Sequence, residues 1–237
     1  LIKVMQDTAL SDIWIPPLLV YRHYFGDYKI LDFLILLDNK FSGDWIARET
    51  PTTRIDAMNS IIKKIEEIDA LQDFTKDEKL RTLFEDVVFK FNSAQFLSDL
   101  DVNTIYGRRF ARYILRKVDF LLDAPLYSEK RSSYNEMSVE HILPQNPEAT
   151  SRWINDFTPD EREEWTHKLG NLVLISRRKN AGQGRLDFAD KKAKYFGNSI
   201  ESFPNSLKIM QKPQWTIKEL KDNHLQLINR IKLHYNI

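Results

Sequence analysis

Glu140 and His141 stand side by side in the run SVEHILP, which Pro144 closes. Asn171 follows in LGNLVLIS, and Asn180 lies nine residues further on. A histidine can take a proton from water near neutral pH. Carboxylate and amide oxygens are hard donors of the kind that hold Mg²⁺ or Mn²⁺. Lys191 and Lys192 come next, each an ammonium that can meet a phosphate as a point charge. Hydrolysis of a phosphodiester needs an activated water, charge stabilisation at the phosphate and help for the leaving oxygen. These residue types, in this order, suit that chemistry.

The elements that must position them change character along the chain. IPPLLVYRHYF, KILDFLILLDNKF, RIDAMNSIIKKIEEI, KLRTLFEDVVFKF and RRFARYILRKVDFLL carry apolar residues at three- and four-residue spacing, and the spacing predicts helices. In the last of these Phe110, Tyr113, Ile114, Val118 and Leu121 form one stripe, with basic residues elsewhere. Gly26, Gly43, Pro51 and Gly107 punctuate the series. From about Ser132 the pattern differs: SVEHILP and NLVLIS read as short strands, the Gly-rich NAGQGR as a loop, and Leu186 to Phe196 as a helix. Strand, loop, strand, loop, helix is the order of a ββα-metal motif. TIKELKDNHLQLINRIKLHY then reads as a long amphipathic closing helix. The expected fold class is α+β and predominantly helical, with a scaffold over residues 1–131 and a ββα domain over 132–237. Neighbours on a strand face opposite ways, so Glu140 and His141 need a twist or bulge to converge.

The chain has 237 residues, 42% hydrophobic and 29% charged, which is a globular composition. No stretch has the length and apolarity of a membrane-spanning helix, and a membrane protein is not expected. The opening LIKVMQDTALSDIW lacks the charged head and apolar stretch of a secretory signal. It begins at Leu1, so more chain is expected upstream. With no cysteine, disulfides and cysteine-rich zinc sites are excluded, and a cytoplasmic location is expected. The net charge of +1 carries no argument for nucleic acid, but its distribution is uneven. Lys168 to Lys194 holds eight basic residues against two acidic ones, whereas Thr150 to Glu164 holds five acidic and two basic.

EHILPQ, a tryptophan, LGNLVLIS, Asn180 and Phe188 with Lys191 together resemble the C-terminal domain of the GmrSD-type restriction endonucleases. That family falls in the HNH, or His-Me finger, nuclease superfamily. The helical stretch before it also resembles the region preceding that domain, so the likeness spans nearly the whole chain. The resemblance implies an HNH-like core in which His141 is the general base and Asn171 the positioning asparagine. It implies one divalent ion, Mg²⁺ or Mn²⁺, held by Glu140 and Asn180. The broader pattern most often has Asp before the histidine, where this chain has Glu140. The implied substrate is double-stranded DNA, foreign or modified, cut in an antiviral restriction system. An upstream nucleotide-hydrolysing sensor domain is implied as a partner. No phosphate cradle for a nucleotide occurs in these residues.

Arg177, Arg178, Lys179, Lys191 and Lys192 are candidate phosphate contacts, with a solvated helix face as the alternative. Asn171 and Asn180 could instead serve as turn residues. Gln145 could contact phosphate or cap a turn. Arg108 and Arg109 could extend a DNA-facing surface. His23, His167, His224 and His234 read as structural, and Trp153 and Trp165 as packing. The competing function class is a DNA-binding or assembly module whose nuclease core is degenerate.

Overall fold

Two α-helices of the first hundred residues start on residues that terminate an extended backbone and accept a hydrogen bond. Thr50 and Thr75 cap the backbone N–H of the third residue beyond them, and Glu78 returns the bond to Thr75. Ile15 opens its helix with Pro16 and Pro17 behind it, where a missing N–H costs nothing. A computed structural model describes residues 1–8, 11–122, 137–176, 184–196 and 203–237. It divides into two compact units, Leu1–Asp99 and Leu100–Ile237.

The first unit contains helices α1 (Ile2–Thr8), α2 (Ile15–Phe25), α3 (Ile30–Ile46), α4 (Pro51–Asp69) and α5 (Lys76–Phe84). A further helix, α6 (Ser93–Leu100), ends at its boundary. All four expected helices of this region are present. KLRTLFEDVVFKF is divided, because α5 stops at Phe84 and a 3-10 turn covers Val87–Phe89. Tyr21, Phe33 and Leu37 are fully buried, and Tyr21 stacks on Phe33 at 4.0 Å between centroids.

The second unit begins with a 3-10 turn at Ile105–Gly107 and helix α7 (Ala111–Leu122). Strand β1 (Met137–His141) leads to α8 (Trp153–Asp156) and α9 (Pro159–Trp165). A 3-10 turn at Leu169–Asn171 enters strand β2 (Leu172–Ser176). Helices α10 (Phe188–Phe196), α11 (Pro204–Met210) and α12 (Ile217–Tyr235) complete it. The fold is thus mostly helical, with one two-stranded antiparallel sheet among the described residues. Met137 pairs with Ser176 and His141 with Leu172, so the strands run the full length of each other. Leu172, Val173, Leu174 and Ile175 are all buried, because α7 and α11 both pack on β2 and leave it no wet face.

RRFARYILRKVDFLL, grouped with the scaffold from sequence, forms α7 in the second unit. The 131/132 boundary falls outside the described residues. Phe110, Tyr113, Ile114 and Val118 are buried as the stripe predicts, and Arg116 and Lys117 are buried with them. The Lys117 ammonium lies 5.1 Å from the Tyr235 ring centroid on α12, and burial holds its pKa well below the usual lysine range. No described helix is long and apolar enough to cross a membrane.

Candidate active site

His141 is the last residue of β1, and the chain leaves the sheet directly after it. What holds the following loop is Asn171, which is fully buried. Its side-chain oxygen accepts from the Leu143 N–H at 2.8 Å, and its amide donates to the carbonyls of Leu143 (2.9 Å) and Thr166 (2.8 Å). The Ile142 N–H donates to the Asn171 carbonyl at 3.0 Å, continuing the ladder one step past the strand. Asn171 therefore ties the His141 loop to the turn before β2, with Ile142 and Leu143 anchored in the core below.

That turn is fixed from behind by α12. Asn223 donates to the Gly170 carbonyl at 2.8 Å, and the Gly170 N–H donates to His224 Nδ1 at 3.2 Å. The other nitrogen of His224 faces Asp101 at 3.0 Å, and Lys168 donates to the same carboxylate at 3.1 Å. Gly170 has no substitute there. A Cβ would stand 2.5 Å from His224 Cβ and 2.8 Å from its Cα.

His141 as a residue is only 5% exposed. Its Nε2 lies 3.0 Å from His167 Nδ1, and its Nδ1 lies 3.3 Å from the amide nitrogen of Gln145. The ring of Tyr106, from the first 3-10 turn, covers both histidines, at 4.3 Å from His141 and 5.8 Å from His167 between centroids. Burial, then the neighbouring His167 and then Lys191, pushes the His141 pKa down to about 3, so the ring is neutral. Burial lowers His167 as well.

The side chains of Glu140 and His141 go to different partners. Glu140 receives the Lys191 ammonium at 2.8 Å, and the same ammonium donates to the His141 carbonyl at 2.6 Å. Both charged groups are buried, Lys191 completely. Desolvation pushes the Glu140 carboxyl up and the Lys191 ammonium down, each opposed by the partner's charge. The helical spacing accounts for the burial: Phe188, Lys191 and Tyr195 form one stripe of α10, and that stripe faces the core. Lys192, one position round, is half-buried and donates to the Lys212 carbonyl at 2.9 Å. The start of α10 is held by Asp187, which accepts from the Ser151 hydroxyl and from the Arg152 N–H at 3.1 Å.

Among the expected site residues, His141, Asn171, Glu140 and Lys191 are brought together. Asn180, Arg177, Arg178 and Lys179 lie outside the described residues. Among those described, no three His, Asp or Glu side chains gather to hold a metal. Glu140 is already satisfied by Lys191, so the described residues do not by themselves fit a divalent cation. The sequence reading gave His167 only a structural role and did not single out Tyr106. His167 could have been found from its place in HKLGN, since Asn171 draws that turn onto the His141 loop. Tyr106 arrives from a distant turn, with no local signal.

The C-terminal domain family of the GmrSD restriction endonucleases matches residues 90–230 of the chain. No curated protein and no solved structure matches it.

Proposed function

The chain belongs to the GmrSD restriction endonuclease C-terminal domain family, and from that premise we propose that it hydrolyses DNA phosphodiesters with His141 as the general base. The observation that carries this reading is the Asn171 clamp, which aims the His141 loop by three hydrogen bonds. A neutral imidazole at the end of β1 has a lone pair to offer a water molecule. His141 takes a proton from that water, the new bond forms to phosphorus opposite the 3′ oxygen, and the P–O3′ bond breaks. The departing oxygen is protonated from solvent.

The HNH-like reading of the core rests on the order of β1, β2 and α10, and on the residues carried by the first two. In that reading Glu140 and Asn180 would hold a divalent cation, Mg²⁺ or Mn²⁺, whose chemistry would be charge stabilisation at the phosphate. The Glu140–Lys191 pair does not call for it, so cation dependence is put to experiment. Arg177, Arg178 and Lys179 are the stronger candidates for phosphate contact, since Lys191 would have to leave Glu140 to reach one. Such contacts are sequence-indifferent and salt-sensitive. The substrate proposed is double-stranded DNA, with an upstream nucleotide-hydrolysing domain choosing foreign or modified targets.

The test is plasmid nicking in Mg²⁺ or Mn²⁺, with an EDTA control and His141→Ala beside the wild type. General-base removal should cost about 10²–10⁴-fold in rate. Cutting that survives His141→Ala would sink the assignment of the base. Cutting that survives EDTA would remove the cation. DNA binding with no cutting in either metal would favour the degenerate binding module instead.

A further inference from the structure

The His141 ring meets two side chains with different abilities. An amide nitrogen can only donate, so the Gln145 contact at 3.3 Å makes Nδ1 of His141 the acceptor. The proton of the neutral ring then sits on Nε2, and Nε2–H points at His167 Nδ1, 3.0 Å away. Gln145 itself is exposed, whereas Nε2 is turned to His167. The nitrogen beside the exposed residue is therefore the one that carries the lone pair.

We propose that His167 is a positioning residue for the reaction: by accepting the Nε2–H of His141 it fixes that ring's tautomer and rotamer, and leaves Nδ1 to receive the proton of the attacking water. Gln145 marks the place of that water, since its N–H occupies the direction from which a water O–H would come. The arrangement parallels the general rule that a catalytic imidazole is aimed by what its second nitrogen touches. Here the partner is a neutral imidazole. Its own tautomer is set in turn, with Nδ1 accepting and the proton on Nε2. Tyr106 contributes by packing on both rings, at 4.3 and 5.8 Å, and by holding them at the 78° angle at which one ring's edge meets the other. The HKLGN segment supplies the anchor: Asn171 bonds the Thr166 carbonyl one residue before His167, and Lys168 is pinned to Asp101 one residue after it.

This inference deepens the nuclease reading and rests on it for the reaction, but the tautomer can be read without any cutting. The whole 237-residue chain, labelled with ¹⁵N in its five histidines, is examined by long-range ¹H–¹⁵N correlation, with His141→Gln to assign the ring. His141 should show a protonated Nε2 and a bare Nδ1. In His167→Ala that signature should collapse to a tautomer mixture, and the nicking kcat should fall about 10–100-fold, the range for removal of an orienting partner. KM for plasmid should stay within about twofold, because no DNA contact is removed. His167→Asn places an amide oxygen near the former Nδ1 and should restore both the tautomer and most of the rate. Asn cannot titrate, so rescue separates accepting a hydrogen bond from relaying a proton. A His141 ring protonated on Nδ1 in the wild type would overturn the proposal. So would a His167→Ala chain that keeps both signature and rate, or a His167→Asn chain that recovers neither. A wild type with the Nε2 tautomer that cuts nothing would leave the His167 contact standing and sink the nuclease reading alone.

Discussion

Asn171 illustrates how one side chain sets a site without reacting in it. All three of its side-chain hydrogen bonds go to backbone groups that are themselves buried, two on Leu143 and one on Thr166. Asn171→Ala would leave a buried N–H and two buried carbonyls without partners. An orphaned buried polar group costs about 1–3 kcal/mol, so three of them should cost roughly 3–9 kcal/mol. Urea unfolding of the variant reads it as a lower midpoint at unchanged slope. A change under about 0.5 kcal/mol would show that water replaces the clamp. At the same scale, Glu140 and Lys191 show that a residue's type alone does not assign its job. Both suit phosphate chemistry by type, and the fold spends them on each other.

Helix α12 works as an element, since it reaches the site only through the turn it supports. Its Asn223 and His224 bond both backbone groups of Gly170, and Gly170 is the residue before Asn171. The close approach is possible because glycine has no Cβ. Gly170→Ala puts that atom 2.5 Å from His224 Cβ, with backbone atoms also inside 3 Å, so α12 or the turn must move. Overpacking of this kind costs about 1–3 kcal/mol. The expected outcome is a fall in thermal midpoint together with a fall in nicking rate, because Asn171 shifts with its neighbour. A variant with a lowered midpoint and full nicking would separate helix docking from the site.

At the scale of the molecule, the second unit buries histidines in their neutral form. Burial holds His141 and His234 at about 3, and lowers His167 and His224 in the same direction. A histidine whose folded pKa lies below its unfolded value contributes stability above about pH 6.5, and that contribution is lost as pH falls toward 3. His141 and His234 should each add up to about 1.4 kcal/mol of lost stability per pH unit in that window. Urea midpoints at pH 7.5, 6.0 and 5.0 should therefore decline, with His234→Gln declining less steeply. A flat profile between 6.5 and 5 would mean that these rings are protonated in the fold at little cost.

The helices were legible because apolar spacing reports a buried stripe directly: IPPLLVYRHYF is helical from end to end as Ile15–Phe25. The two strands and the order β1, β2, α10 were legible for the same reason, and so was the family, from EHILPQ and LGNLVLIS. The sequence alone also placed His141 and Asn171 on either side of one loop. Tertiary structure alone decided who touches whom. Lys191 read as a phosphate contact or as part of a solvated helix face, yet it shares a core stripe with Phe188 and Tyr195. Glu140 read as a metal ligand beside His141, yet its carboxylate goes to Lys191 and the imidazole goes to His167 and Gln145. Local pattern records which side of an element is dry. The partner waiting on that side comes from residues distant in the chain, as Tyr106 and His167 do here, and only the folded chain brings them in.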